Sequence, residues 1–175
     1  MSNLRYVLTG AACAVALAAC SSAPPPPPPV APVATITPAQ RMAEIEKIAG
    51  VDDTELSVQP LRDPQVDDLR ETAQSRRAAG DLAGAAAALD QALKLVSGDP
   101  GVLQERAELA LLQQDYAGAE RFARQAIDLG SKTGPLCRRH WATIEQSRLA
   151  RDEKENAASA HAQIESCTVP GIKRY

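Results

Sequence analysis

From residue 64 onward the chain repeats itself at a spacing of 34. LRETAQSRRAAGDLAGAAAALDQALKLVS, starting at Leu69, aligns with LQERAELALLQQDYAGAERFARQAIDLGS, starting at Leu103. Leu69 pairs with Leu103, Glu71 with Glu105 and Ala73 with Ala107. Asp81-x-Ala83-Gly84-Ala85 pairs with Asp115-x-Ala117-Gly118-Ala119, Gln91-Ala92 with Gln125-Ala126, and Leu95 with Leu129. A fixed period of this length constrains the fold more than any single residue does. One such unit cannot bury its own apolar face, so neighbouring units must stack. Many of the matched positions are alanine, which favours helix and buries little area per residue. Asp81 and Asp115 fall in mid-unit, where an aspartate caps a second helix. The expectation is an all-α fold of stacked helical hairpins. The competing reading is an unrelated alanine-rich helical bundle.

The two units resemble the tetratricopeptide repeat, whose degenerate pattern has small residues at positions 8, 20 and 27. With Val66 and Pro100 as first positions, those are Ala73, Ala85 and Ala92, then Ala107, Ala119 and Ala126. A third, degenerate unit fits if Arg138 is its first position, four residues later than strict periodicity. Trp141 then takes the aromatic position 4 and Ala157 position 20, while Glu145 breaks the small-residue rule at position 8. The resemblance covers about residues 66 to 170. It implies a concave surface lined by the first helix of each repeat, with peptides held by positions 2, 5, 9 and 12. Here those are Asp67, Arg70, Gln74 and Arg77, then Gln104, Glu108 and Leu111, then Arg139, Ala142, Gln146 and Leu149. The alternative for any one of them is a solvated face residue. The Lys/Asn set of the carboxylate-clamp members is missing, so a C-terminal carboxylate ligand is not indicated.

The N-terminus carries a different kind of signal. Arg5 gives a short positive region, and YVLTGAACAVA, residues 6 to 16, is apolar but too short to span a bilayer comfortably. Leu17-Ala18-Ala19-Cys20 then resembles the lipobox of bacterial lipoprotein precursors. That resemblance implies cleavage before Cys20 and lipidation of its thiol. Ser21, rather than Asp, implies sorting to the outer membrane of a Gram-negative bacterium. An ordinary secretory signal ending in Ala-x-Ala is the alternative. Several acyl chains hold a protein stably where one binds only marginally. Pro24 to Pro29 and Pro32 then form a polyproline spacer directly behind the anchor. Their alternative is a PxxP ligand.

Cys137 and Cys167 bracket the third hairpin, whose two outer ends are neighbours. In an oxidising compartment they are expected to form a disulfide. A Cys₂His₂ metal site with His140 and His161 is the sharper alternative. Catalysis is not expected. The sequence has no phosphate-binding Gly-rich loop and no nucleophile elbow, and Asp52-Asp53 and Asp67-Asp68 read as capping and helix-dipole residues. Nucleic acid is not expected as a partner either, since the net charge is -3 and aromatics make up only 3%. No cofactor or metal is expected.

The expected organisation is therefore a signal peptide at 1–19 and a lipid-anchored, disordered Pro-rich linker at 20–37. A short helix at 38–50 follows, opened by Thr37, Pro38 and Gln40 as a capping box. A linker at 51–63, the repeat domain at 64–170 and a tail at 171–175 complete the chain. Together these features imply an outer-membrane-anchored periplasmic adaptor that binds an envelope protein or peptide, with a purely structural envelope lipoprotein as the alternative. Outer-membrane protein assembly, pilus assembly and murein control all remain open. Cys20→Ser is expected to abolish membrane association. A mutant that still takes up labelled palmitate and still pellets with membranes would place the anchor elsewhere.

Overall fold

Aspartates and prolines punctuate the helices. In the computed structural model, which describes residues 35–50 and 63–168, every described element is a helix. The lipobox with Cys20, the proline run, nearly all of the 51–63 segment and the 171–175 tail lie outside the described residues. Helix α1 spans Pro38–Ala49, and Thr37 and Gln40 close a reciprocal capping box at its start. Then follow α2 (Pro64–Ala78), α3 (Leu82–Leu95), α4 (Pro100–Leu112), α5 (Tyr116–Leu129), α6 (Gly134–Ala150) and α7 (Lys154–Ser166). Asp63, Asp81, Asp99 and Asp115 each cap a helix by accepting a backbone N–H. Proline opens α2 and α4, where its missing N–H costs nothing.

Helices α2 and α3, α4 and α5, and α6 and α7 pair as three antiparallel hairpins, which stack through α3 on α4 and α5 on α6. The turns show the register. Gly80, Gln114 and Asp152 each take a left-handed conformation, with φ of 80°, 64° and 60°. The residue after each donates its N–H to a carbonyl five residues back: Asp81 to Arg76, Asp115 to Ala110 and Glu153 to Arg148. The spacing from Gln114 to Asp152 is four residues longer than that from Gly80 to Gln114, which is the length of the offset in the third unit. In the first two hairpins the capping carboxylate leaves no room for a side chain three residues on. A Cβ on Gly84 or Gly118 would collide with Asp81 or Asp115. The third hairpin lacks this device, and Glu153 makes no side-chain cap.

Small residues fill the crossings. Ala73, Ala85, Ala92, Ala107, Ala119, Ala126 and Ala157 are all buried. Arginine–carboxylate pairs tie one hairpin to the next. Arg106 Nε meets Asp90 at 2.7 Å while its guanidinium lies 4.8 Å over the Phe122 ring. Arg148, Arg151 and Arg124 converge on Glu120. Burial alone would raise the Glu120 pKa, but hydrogen bonds from those three arginines outweigh it and hold the group at about 2. The third hairpin closes at its outer end, where the Sγ atoms of Cys137 and Cys167 lie at bonding distance and their Cα atoms stand 5.7 Å apart.

Helix α1, which the sequence sets apart from the repeats, packs on α6 and α4 within the same helical unit. Met42 and Ile45 enter a cluster with Leu111 and Ala142.

A register test follows from the buried alanines. Ala119 is fully buried and Ala87 exposed. Ala119→Leu is expected to cost about 1–3 kcal/mol by overpacking, and Ala87→Leu less than about 0.5 kcal/mol. Denaturant melts compare the two, and an equal or larger loss at residue 87 would mean that the register is wrong.

Candidate functional site

The first helices of the hairpins, α2, α4 and α6, face one concave side. Between them lies a cavity of about 420 Å³. Its floor is apolar and small: Ala73, Leu89, Gly101 and Leu109, with Leu136 at the rim. Its walls are charged. Arg70 on α2 grips Glu105 on α4 through two hydrogen bonds, one of them Nε to Oε2 at 3.1 Å. Arg139 on α6 likewise holds Glu108 on α4 with both Nε and Nη2, the latter at 2.9 Å. Arg77 stands between, 3.6 Å from Glu108 and 3.8 Å from Glu46 on α1. The facing carboxylates hold the Arg70 and Arg139 guanidinium pKa values above their ordinary range.

Glu108 is a buried carboxylate, 1% exposed, and such a charge is tolerated only when paired and hydrogen-bonded. Besides Arg139, it accepts from Gln104 Nε2 at 2.9 Å. The other hydrogen of that amide goes to Thr143 Oγ1 at 2.8 Å, and the Thr143 hydroxyl donates to the Arg139 carbonyl at 2.9 Å. A carboxylate only accepts, so the amide orientation is fixed and Gln104 Oε1 must face the His140 ring. His140 Nδ1 therefore carries the proton and donates to that oxygen at 2.6 Å. Nε2 is left buried and without a protein partner. Burial, helped by the positive charges of Arg139 and Lys132, lowers the His140 pKa to about 4, so the ring is neutral.

Six groove residues chosen from the repeat positions line this cavity: Arg70, Gln74, Arg77, Gln104, Glu108 and Arg139. Asp67 stands outside it, exposed, 3.5 Å from Arg70. Leu111 and Ala142 are buried in the cluster that receives α1, and Gln146 is buried beneath Arg41. Leu149, near the end of α6, is partly exposed and does not line the cavity. The concave positions thus divide into an open half on α2, the start of α4 and the start of α6, and a half covered by α1. The sequence reading passed over Glu105 and Leu136. Glu105 had a signal in its match with Glu71, whereas Leu136 lies beside the SKTGP insertion, where the period breaks. His140 and His161 do not converge: His140 turns to Gln104, and His161 pairs with Glu145 at 3.0 Å. Among the described residues no three His, Cys, Asp or Glu side chains gather as metal ligands.

Fold and groove define the class: a helical-hairpin domain whose first helices enclose a charged cleft. The particular likeness is to the globular C-terminal domain of P. aeruginosa LpoP, a solved structure. It is 31% identical with a TM-score of 0.57, and the match covers 60% of this chain and 99% of that one. At that identity over effectively the whole LpoP domain, the helical domain of this chain belongs with it in one domain family. No protein-family model matches the sequence, and no curated protein matches it.

The His140 shift makes stability depend on pH. The folded pKa, about 4, lies below the unfolded value near 6.5. Its contribution is therefore complete above pH 6.5 and is lost as pH falls toward 4. Between pH 7 and pH 5 this group is expected to remove about 2 kcal/mol of stability. Denaturant melts at the two pH values measure the loss, and His140→Gln should shrink it. An unchanged pH dependence in that variant would refute the assignment.

Proposed function

We propose that this chain is a lipid-anchored periplasmic adaptor of the tetratricopeptide type. In this reading Cys20 carries the anchor at the outer membrane, the proline run holds the domain off the lipid, and the groove binds an envelope protein partner. Envelope assembly or its regulation is the process served. The observation that carries the reading is the cleft between α2, α4 and α6. It is of ligand-binding size, it has a small apolar floor, and Gln74 lies exposed on its wall. An apolar floor of alanine, glycine and leucine under arginine walls suits an apolar side chain flanked by polar backbone, the usual form of a peptide anchor. The likeness to LpoP supports the same layout, since the matched part there is also a globular C-terminal domain of a longer chain.

A photo-cross-linking amino acid placed at Gln74 in intact cells tests the reading, with the same probe at exposed Ala87 on α3 as control. One or a few dominant adducts are expected from residue 74 and absent from residue 87. Identical adduct patterns at both positions, or none at either, would favour a structural lipoprotein without a specific client.

A further inference from the structure

Helix α1 does more than decorate the domain. It lies antiparallel to α6 along the concave face. Near its start, Arg41 Nη1 donates to the Gln146 backbone carbonyl and to Gln146 Oε1, both at 3.3 Å. At its end, Arg138 Nε donates to the Ala49 carbonyl at 3.2 Å. Between them Met42 and Ile45 lie in one apolar cluster with Leu111 and Ala142, and Glu46 reaches Arg77 on α2. Leu111 and Ala142 stand at positions 12 and 5 of their repeats, on the face the pattern assigns to ligand. We infer that α1 is a displaceable occupant of the groove, filling in cis the seat that an amphipathic helix of the partner takes in trans. This rests on the reading that the groove is the partner site.

Three observations carry it. First, the mode of seating is helix-in-groove, with apolar anchors at i, i+3 and i+7 in Met42, Ile45 and Ala49. A basic residue precedes the first anchor and an acidic one follows the second, which is the pattern expected of the competing helix. Second, the hold is apolar more than ionic: Met42, Ile45 and Ala49 are buried, whereas the links to Gln146, from Arg138 and to Arg77 are 3.2 to 3.8 Å long and Arg41 Nε is buried without a partner. A helix of twelve residues is marginal by itself in water, so α1 keeps its shape only while docked. Third, α1 belongs to none of the three hairpins, so its departure breaks no hairpin contact. It would join the open cavity to Leu111, Ala142 and Gln146 as one groove, since Arg77 borders both halves. Time spent docked lowers the apparent affinity for a partner in proportion.

The full chain serves for the test. In hydrogen exchange, the α1 amides are expected to exchange at least tenfold faster than those of α4 and α6, through an opening that leaves the hairpins protected. A labelled peptide of residues 36–50 should bind an Ile45→Glu variant, whose own α1 is dislodged, at least fivefold tighter than it binds the unmodified chain. Exchange of α1 in step with α4 and α6 would overturn the inference. So would equal peptide binding by the two proteins, or collapse of all helical signal in Ile45→Glu, since α1 would then be integral core. None of these outcomes bears on the cross-links from Gln74, so the adaptor reading stands or falls separately.

Discussion

The close crossing of paired helices on alanine is the contact on which the rest of the molecule depends. At Ala73, Ala85 and Ala92, and again at Ala107, Ala119 and Ala126, no side chain keeps the helices apart. Close approach fixes the hairpin, and the hairpin fixes which face of each first helix points into the cleft. The cost is area, because an alanine removes little apolar surface from water. Stacking between hairpins therefore leans on polar ties that a leucine-rich repeat would not need. Arg106 with Asp90, Arg70 with Glu105, and the three arginines around Glu120 lie at or beside those boundaries. Singly, exposed ion pairs are worth little, but networks of half-buried bidentate arginines are worth more.

The same ties shape the groove. Glu108 is buried beneath Arg139 and Gln104, and removing Arg139 would take away the two hydrogen bonds that answer its charge, leaving only Arg77 at 3.6 Å. Such a loss is far costlier than the pair is favourable. The lining of the cleft is thus held in place by its own chemistry. Gln104 can satisfy Glu108, Thr143 and His140 at once only in one orientation, which sets α6 against α4. A groove wall of this kind is rigid before any ligand arrives, and it presents arginines whose charge is already largely answered. In the proposed adaptor role, such a groove favours shape and apolar contact over raw charge.

The sequence announces the hairpins through devices that act locally. The Asp-x-Ala-Gly-Ala match at residues 81–85 and 115–119 makes the turns legible, and the structure adds a left-handed residue before each aspartate and a cap that keeps the glycine small. The third unit is legible too, once an offset of four is admitted, from Trp141 and Ala157 at their repeat positions, and the structure repeats the turn at Asp152. What escapes is set by contacts far apart in sequence. Nothing in PAQRMAEIEKIA states that α1 lies on α6, since its amphipathic pattern is the same whether it docks or caps. Nor do the repeat positions show that Arg70 and Arg139 face carboxylates on α4, because those pairings depend on the rotation between hairpins. The positions chosen from the pattern were therefore divided by a helix the pattern does not mention.

The third hairpin shows what happens when the alanine rule lapses. Where the second hairpin sets Ala107 near Ala123, the same positions in the third hold Glu145 and His161, which meet at 3.0 Å. This polar pair lies at the edge of the crossing, with His161 exposed, and the Glu145 Oε2 atom is buried without a partner. The N-cap is lost as well. Stability must come from elsewhere, and two features supply it. At the outer end, the Cys137–Cys167 link closes 30 residues of sequence, which restricts the unfolded chain by about 3–4 kcal/mol. Beside it, the Gly134 N–H donates to the Cys167 carbonyl at 2.8 Å, tying the start of α6 to the end of α7. Both act at the end of the hairpin farthest from its turn, where paired helices are least held together by the turn itself. The cysteines thus bracket the hairpin that departs from the small-residue pattern at position 8 and lacks a side-chain N-cap on its second helix.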